Sequence, residues 1–511
     1  KESSAASDVY KRQQSVSAVS GIVTYYGDGS KLSGVESGVV NFVASGTIAN
    51  GATVVINTDG TVGIVTITGS TTPSVGSPGT FRSGAQVNNI SSTYDSVNGK
   101  VVIAYHDDGN SSYGTAIVGT VSGTSISFGT AVVFESGETN FIAIAYDPDQ
   151  EKVVIAYTDG GDSDKGKSVV GTVSGTSISF GSIVEIGTSF RAFSSTYDTN
   201  SNKVVIAFQD NGNSLGKAVV GTVSGTSISF GSIAQFQAAS CNEMVSTTFD
   251  SSNNKVVIAY LDQGDSNKGR AIVGTVSGTS ISFGSEATFN STATSYISST
   301  YDSTTGKIVI AYRDDNNSNR GTAIVGTVSG TSISFGSEVV FNSGRTDHTS
   351  SVYDSANGKV VISYKDLGNS NYGTAIVGTV SGTSISFGTA VLFQSGVVNV
   401  SSTTYDSANG KVSIAYQDGS NNYGKAVVFS TTQQTTNLTS ENYIGIAAEA
   451  ISNGATGKIN VVAGTNSGQT GLTTAQKYFV QTNGTLSTSA GDPSVVAGTA
   501  ISDTKIIVQK S

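Results

Sequence analysis

The chain has 511 residues, a net charge of −10, one cysteine, one methionine and no tryptophan. That length holds one large domain with smaller modules, and the lone Cys241 excludes an intramolecular disulfide framework. No Lys/Arg cluster marks a nucleic-acid groove and no apolar run is long enough for a membrane-spanning helix, so neither nucleic acid nor membrane insertion is expected.

The chain opens KESSAASDVYKRQQ, in which Ser3 to Gln13 resembles the translation of a transposase-type sequencing adapter. Residues 1–14 are therefore expected to be an artefact, with the true N-terminus missing. Residues 15–62 are polar and strand-like, with a Gly-Asp-Gly turn in VTYYGDGSKLSGV and a short meander in GTIANGATVVINTDGTVGIV. They predict a small β module.

From residue 63 to 430 the chain repeats itself. GTVSGTSISFG recurs word for word from Gly119, Gly171, Gly221, Gly274, Gly326 and Gly378. An aromatic–Asp pair recurs seven times, at Tyr94, Tyr146, Tyr197, Phe249, Tyr301, Tyr353 and Tyr405, with a period of 51 or 52 residues. A fixed period in this range indicates a propeller, solenoid or array.

Each repeat reads as four strands: NISSTYD, KVVIAY, TAIVGTV and SISFGTAVVF, joined by Asn-Gly and Ser-Gly turns. KVVIAY does not alternate, so both of its faces must be covered, as they are when each sheet lies between two neighbours. The first strand is rich in Ser and Thr, which suits the crowded centre of a ring. The seventh repeat stops at Phe429-Ser430 and lacks SISFG. TTPSVGSPGTFRSG (Thr71 to Gly84) resembles the missing strand, with Phe81 standing where Phe134 stands. The expectation is an all-β, seven-bladed β-propeller whose N-terminal strand completes the last blade, closing the edges that an open array would expose. A linker at 431–442 and a small β domain at 443–511 follow.

Chemistry is sparse. The loop after the second strand carries Asp107, Asp159, Asp210, Asp262, Asp314, Asp366 and Asp418. Sevenfold repetition favours a turn-capping role, because an active site needs unlike residues at one point. In DGGDSDKG, Asp159, Asp162 and Asp164 alternate as calcium ligands can, and one surface calcium is the only cofactor considered. His106 and His348 form no metal cluster or triad, and Cys241 and Met244 read as packing residues. Paired carboxylates for sugar cleavage could still come from different repeats. The link from the fourth strand to the next first strand varies most, and loops on a rigid scaffold are where ligands are held. Phe190, Arg191, Phe193, Tyr296, Arg345, Asp347 and His348 are the candidate ligand-binding residues there.

The closing stretch from Asn442 to Gln509, together with TYYGDGSKLSGV, GTIANGATVVINTDGTV and the DDGNSNYGTAIVGTVSGTSISFG-type repeats, resembles virion proteins of tailed phages, especially marine ones. The resemblance implies a tail-fibre-like virion appendage and supplies no catalytic motif. The expected function is a non-enzymatic module for attachment or display, contacting a host cell-surface glycan or protein and other virion proteins. A secreted bacterial carbohydrate-binding adhesin, extracellular rather than on a virion, is the second reading. A polysaccharide-cleaving propeller is the third.

Overall fold

The computed structural model describes residues 38–70, 72–187, 189–241, 244–431, 433–491 and 493–509. The adapter-like segment and the VTYYGDG turn lie outside the described residues. Within them the chain is all-β: antiparallel sheets, four short 3-10 turns and no α-helix.

The chain divides into two bodies, residues 1–68 with 436–511, and Gly69–Thr435. In the first body the two ends of the sequence share one sheet. Val39–Val43 pairs with Thr456–Asn460, and Thr53–Ile56 pairs with Tyr443–Ala447. Val55, Tyr443, Ile446, Val480 and Ile506 fill its core.

The second body holds the repeats. In the first of them Val87–Asp95, Lys100–Asp107 and Tyr113–Ser122 pair in order. The fourth strand comes in two pieces, Ser125–Phe128 against the end of the third strand and Val132 onward against its start. In four of the links between repeats the chain is strand throughout. Val132–Asp147 runs unbroken for 16 residues: its Glu135 and Glu138 pair with Gly114 and Tyr113 of the first repeat, and its Thr139 and Asn140 pair with Asp159 and Thr158 of the second. Backbone donors and acceptors are thus handed from one sheet to the next without a loop.

The unalternating second strand is buried on both faces. Val102 and Ala104 pack against Val153, Ile155 and Tyr157 of the second repeat. Val101, Ile103 and Tyr105 face the other way, onto Ala415, Ala426 and Val428 of the seventh. The seventh repeat borrows its outer strand from the N-terminal side: Tyr423–Ser430 pairs with Ser74–Val75 and Gly79–Arg82. Phe81 lodges against Gly424 there, as Phe134 lodges against Gly114 in the first repeat. A side chain on either glycine would collide with the ring, so the notch requires Gly.

Two polar devices repeat with the sheets. Hydroxyls of neighbouring first strands join: Ser298 to Ser351 at 2.9 Å, Ser350 to Thr403 at 2.9 Å, and Ser92 of the first repeat to Ser402 of the seventh at 2.9 Å. The buried Asp of each aromatic–Asp pair accepts from turn amides, as Asp354 does from Ala356 at 3.1 Å and Asn357 at 3.2 Å. A buried carboxylate held by several donors fixes the turn instead of straining it.

Candidate functional site

The loop carboxylates are turn caps. Asp107, Asp159, Asp210, Asp262, Asp314, Asp366 and Asp418 each accept from the amide two residues on, at 2.9–3.2 Å. Around the carboxylates considered for calcium the structure places an ammonium. Lys167 Nζ lies 2.5 Å from Asp159 and 3.1 Å from Asp162, and Lys165 Nζ lies 3.4 Å from Asp162. Those hydrogen bonds hold the exposed Asp162 carboxyl below its ordinary pKa. Asp164 contributes backbone, its carbonyl accepting from Phe190 at 2.9 Å. No group of three His, Cys, Asp or Glu residues suited to a metal occurs among the described residues.

Phe190 and Phe193, expected at a ligand surface, belong to the core. Phe190 is 2% exposed and stacks on Phe208 with ring centroids 4.0 Å apart. The cause is local. Where other repeats carry an outer-strand Phe, the second carries Ile186, and Phe190 swings in to fill the notch at Gly166. Phe193 packs beside it, 6.0 Å from Phe208. Arg191 faces Gln209 across its strand pair in the third repeat, apart from the remaining candidates in sequence and sheet.

Tyr296, Asp347 and His348 do come together, at the seam between the fifth and sixth repeats. Each first strand there contains a bulge, between Ser295 and Ser298 in one and between Asp347 and Ser350 in the next. The bulged residues take positive φ, 50° at Tyr296 and 52° at His348, as Asn89, Phe141 and Ala192 do at the matching positions. A bulge re-aims a side chain that a regular strand would send into the sheet face. Tyr296 and His348 meet with ring centroids 4.8 Å apart.

Arg313 organises this seam. Its guanidinium lies 4.7 Å from the Tyr296 ring centroid, a cation–π distance. Its Nε donates to Asp315 at 2.5 Å and its terminal nitrogen to Asp347 at 2.5 Å. Ser295 Oγ donates to the other oxygen of Asp315 at 2.7 Å. Arg345 reaches Asp347 only at 3.6 Å, and its side chain is 52% exposed. Lys365 stands opposite Asp347 in the strand register, and its Nζ donates to Asn399 at 3.3 Å.

Burial, aided by Arg313 and Lys365 and opposed by Asp347, lowers the His348 pKa to about 4, so the ring is neutral near pH 7. Burial, then Asp347, raises that of Tyr296. The seam therefore offers fixed charges with neutral aromatic rings between them.

Arg313 and Asp315 were not among the expected site residues, yet the signal was present. The residue before the capping Asp is His106, Thr158, Gln209, Leu261, Arg313, Lys365 or Gln417 in a strand otherwise nearly constant. It reaches the next repeat: His106 Nδ1 sits 2.7 Å from the Thr139 carbonyl oxygen, Thr158 donates to Phe190 O at 2.7 Å, and Gln417 donates to Val87 O at 2.6 Å.

No protein-family model matches the chain, and no curated protein does. Many solved structures are similar to it, and two illustrate the likeness. One is a structural-genomics target from Lactobacillus plantarum, with 11% identity, 70% of this chain and 95% of that one covered, and a TM-score of 0.46. The other is AofleA from Arthrobotrys oligospora, with 10% identity, 68% and 96% covered, and a TM-score of 0.40. Likenesses of this strength carry no argument about function.

Proposed function

We propose that Gly69–Thr435 is a closed seven-bladed β-propeller acting as a non-enzymatic attachment or display module of a phage virion appendage. Closure is supported by the outer strand that the N-terminal side lends to the seventh repeat, and by the packing and hydroxyl contacts between first and seventh repeats. The virion setting rests on the resemblance of the repeats and the C-terminal segment to phage virion proteins.

One observation carries the attachment reading. The end of the repeats bearing the bulges and the residues before the capping Asp gathers unlike groups from repeat to repeat, whereas at the opposite end six repeats carry the same Ser-Gly-Thr-Ser turn and every Asp-to-Lys turn keeps its bracketing Asp and Lys. Packing demand is alike in every repeat, so unlike groups gathered at one end fit recognition of a host cell-surface glycan or protein. Other virion proteins are the partners of the appendage as a whole. The test is binding of the labelled protein to a panel of bacterial cells, with reducing-end release from their polysaccharide measured in parallel. Binding without release is the expected result. Release would establish the polysaccharide-cleaving reading, and binding to no cell type would reduce the module to a spacer.

A further inference from the structure

The fifth repeat sets two arginines against each other. Arg320 opens its third strand, and its partner in the register is Arg345 of the fourth. Like charges directly opposite on a sheet repel. The matching pairs elsewhere are Tyr113 with Glu138, Leu215 with Ser240, Lys268 with Ala293, and Tyr372 with Val397.

Other repeats neutralise a cation at the Arg320 position. Lys165 has Asp162 at 3.4 Å and Glu185 at 3.3 Å, and Lys268 has Asp265 at 2.9 Å. In the fifth repeat the residue matching Asp162 and Asp265 is Asn317, and the one matching Glu185 is Val340. The carboxylates are gone at the place where a second arginine has been added. Arg320 contacts Asn317 Oδ1 at 3.4 Å, and its Nε is buried without a hydrogen-bond partner. Arg345 has only the 3.6 Å contact to Asp347, whose nearer bond goes to Arg313 at 2.5 Å. The opposed arginines stand in a protein of net charge −10.

We propose that Arg320 and Arg345 form an oxyanion-binding site that takes the carboxylate or sulfate of an acidic polysaccharide. Residues opposed in a sheet have Cβ atoms about 4.5–5.5 Å apart, so two guanidinium forks can close on one anion. Arginine suits this task because its planar donors match an oxyanion bidentately and its charge is weakly hydrated. The anion supplies what the fifth repeat lacks: a counter-charge between the two arginines and an acceptor for Arg320. The choice of a polysaccharide as carrier rests on the attachment reading, and the site itself does not.

The test uses the full chain and three immobilised polymers: polyuronate, dextran sulfate and neutral dextran. Polyuronate or dextran sulfate should be retained at low salt and released as salt rises, and the one retained identifies the anion. Arg320→Gln and Arg345→Glu should each weaken retention by about tenfold or more, the scale of a charge-assisted hydrogen bond. Lys152→Gln, which removes one charge from a turn at the other end of a repeat, should leave it unchanged. Arg345→Glu should also melt at the same temperature as the parent or higher, because it replaces repulsion with an ion pair. A purely structural arginine pair would instead lose stability. Equal retention of neutral dextran, or full retention by Arg345→Glu, overturns the proposal. If cells are bound by the parent while the acidic polymer is retained equally by the parent and by the double variant Arg320→Gln with Arg345→Glu, the attachment reading survives and this site does not. If the parent retains the acidic polymer but binds no cell, the site survives and the attachment reading does not. If it binds neither, both fall.

Discussion

Phe81→Ala probes the join between the two ends of the repeat body. Phe81 is 6% exposed, with ring centroids 5.2 Å from Tyr105 and 5.7 Å from Phe128. Phe134, deep within the chain, is 6% exposed and lies 5.2 Å from Tyr157 and 5.7 Å from Phe180. The environments match, so truncating either ring should cost the same, about 3–5 kcal/mol for a buried Phe→Ala change. For a body of roughly 370 residues that is a fall in Tm of about 4–6 °C. Calorimetry of Phe81→Ala and Phe134→Ala, each beside the parent, measures both. Equal losses are expected, because the borrowed strand packs as the continuous ones do. A loss at Phe134 with none at Phe81 would refute the reasoning: the N-terminal strand would then be a loose tail, and the seventh repeat would stand with an open edge.

Further outcomes follow from single contacts. Gly114→Ala should destabilise by about 1–3 kcal/mol, as overpacking does, since its new methyl group would stand 2.5 Å from a Phe134 ring carbon; urea unfolding reads the change. Asp354→Ala should cost about 1–3 kcal/mol by stranding the Ala356 and Asn357 amides and the Thr431 hydroxyl, and Asp354→Asn should recover part of it. His348 takes its proton at about 4 in the fold and near 6.5 when unfolded, so the unfolded chain binds more protons between those values. Stability should therefore fall as the pH drops from 6.5 to 4. His348→Asn, which keeps a residue tolerant of positive φ, should lessen that fall in melts across this range.

Much of the repeat body was legible because its signals are local and occur many times. KVVIAY announced burial on both faces, and Phe81 could be matched to Phe134 by its neighbours in sequence. The site was less legible, for separate reasons. Phe190 looked like an exposed aromatic because the vacancy it fills is made by Ile186, four residues earlier, and a notch at Gly166 on another strand. Arg313 was passed over because the second strand reads as ending at the preceding Tyr, which leaves this position in the loop, whereas the strand runs on through it to Asp314. The opposition of Arg320 and Arg345 depends on a register that crosses two bulges, which periodicity does not supply. The sheet shared by Val39–Val43 and Thr456–Asn460 joins segments with no common pattern at all.

The near-identity of the second and third strands has a consequence for how such a chain can change. The second and third strands of each repeat present neighbours with almost the same packing surfaces, so repeats that carry their own outer strand and its Phe can stand beside one another with little refitting. The verbatim GTVSGTSISFG copies lie between these surfaces and the variable links, and genes carrying such copies can exchange segments within them. An exchange there would move a whole link, bulge included, from one seam to another while leaving the packing intact. Recognition and architecture are then inherited as separate parts, and new combinations of surface groups arise by rearrangement before any point mutation is needed.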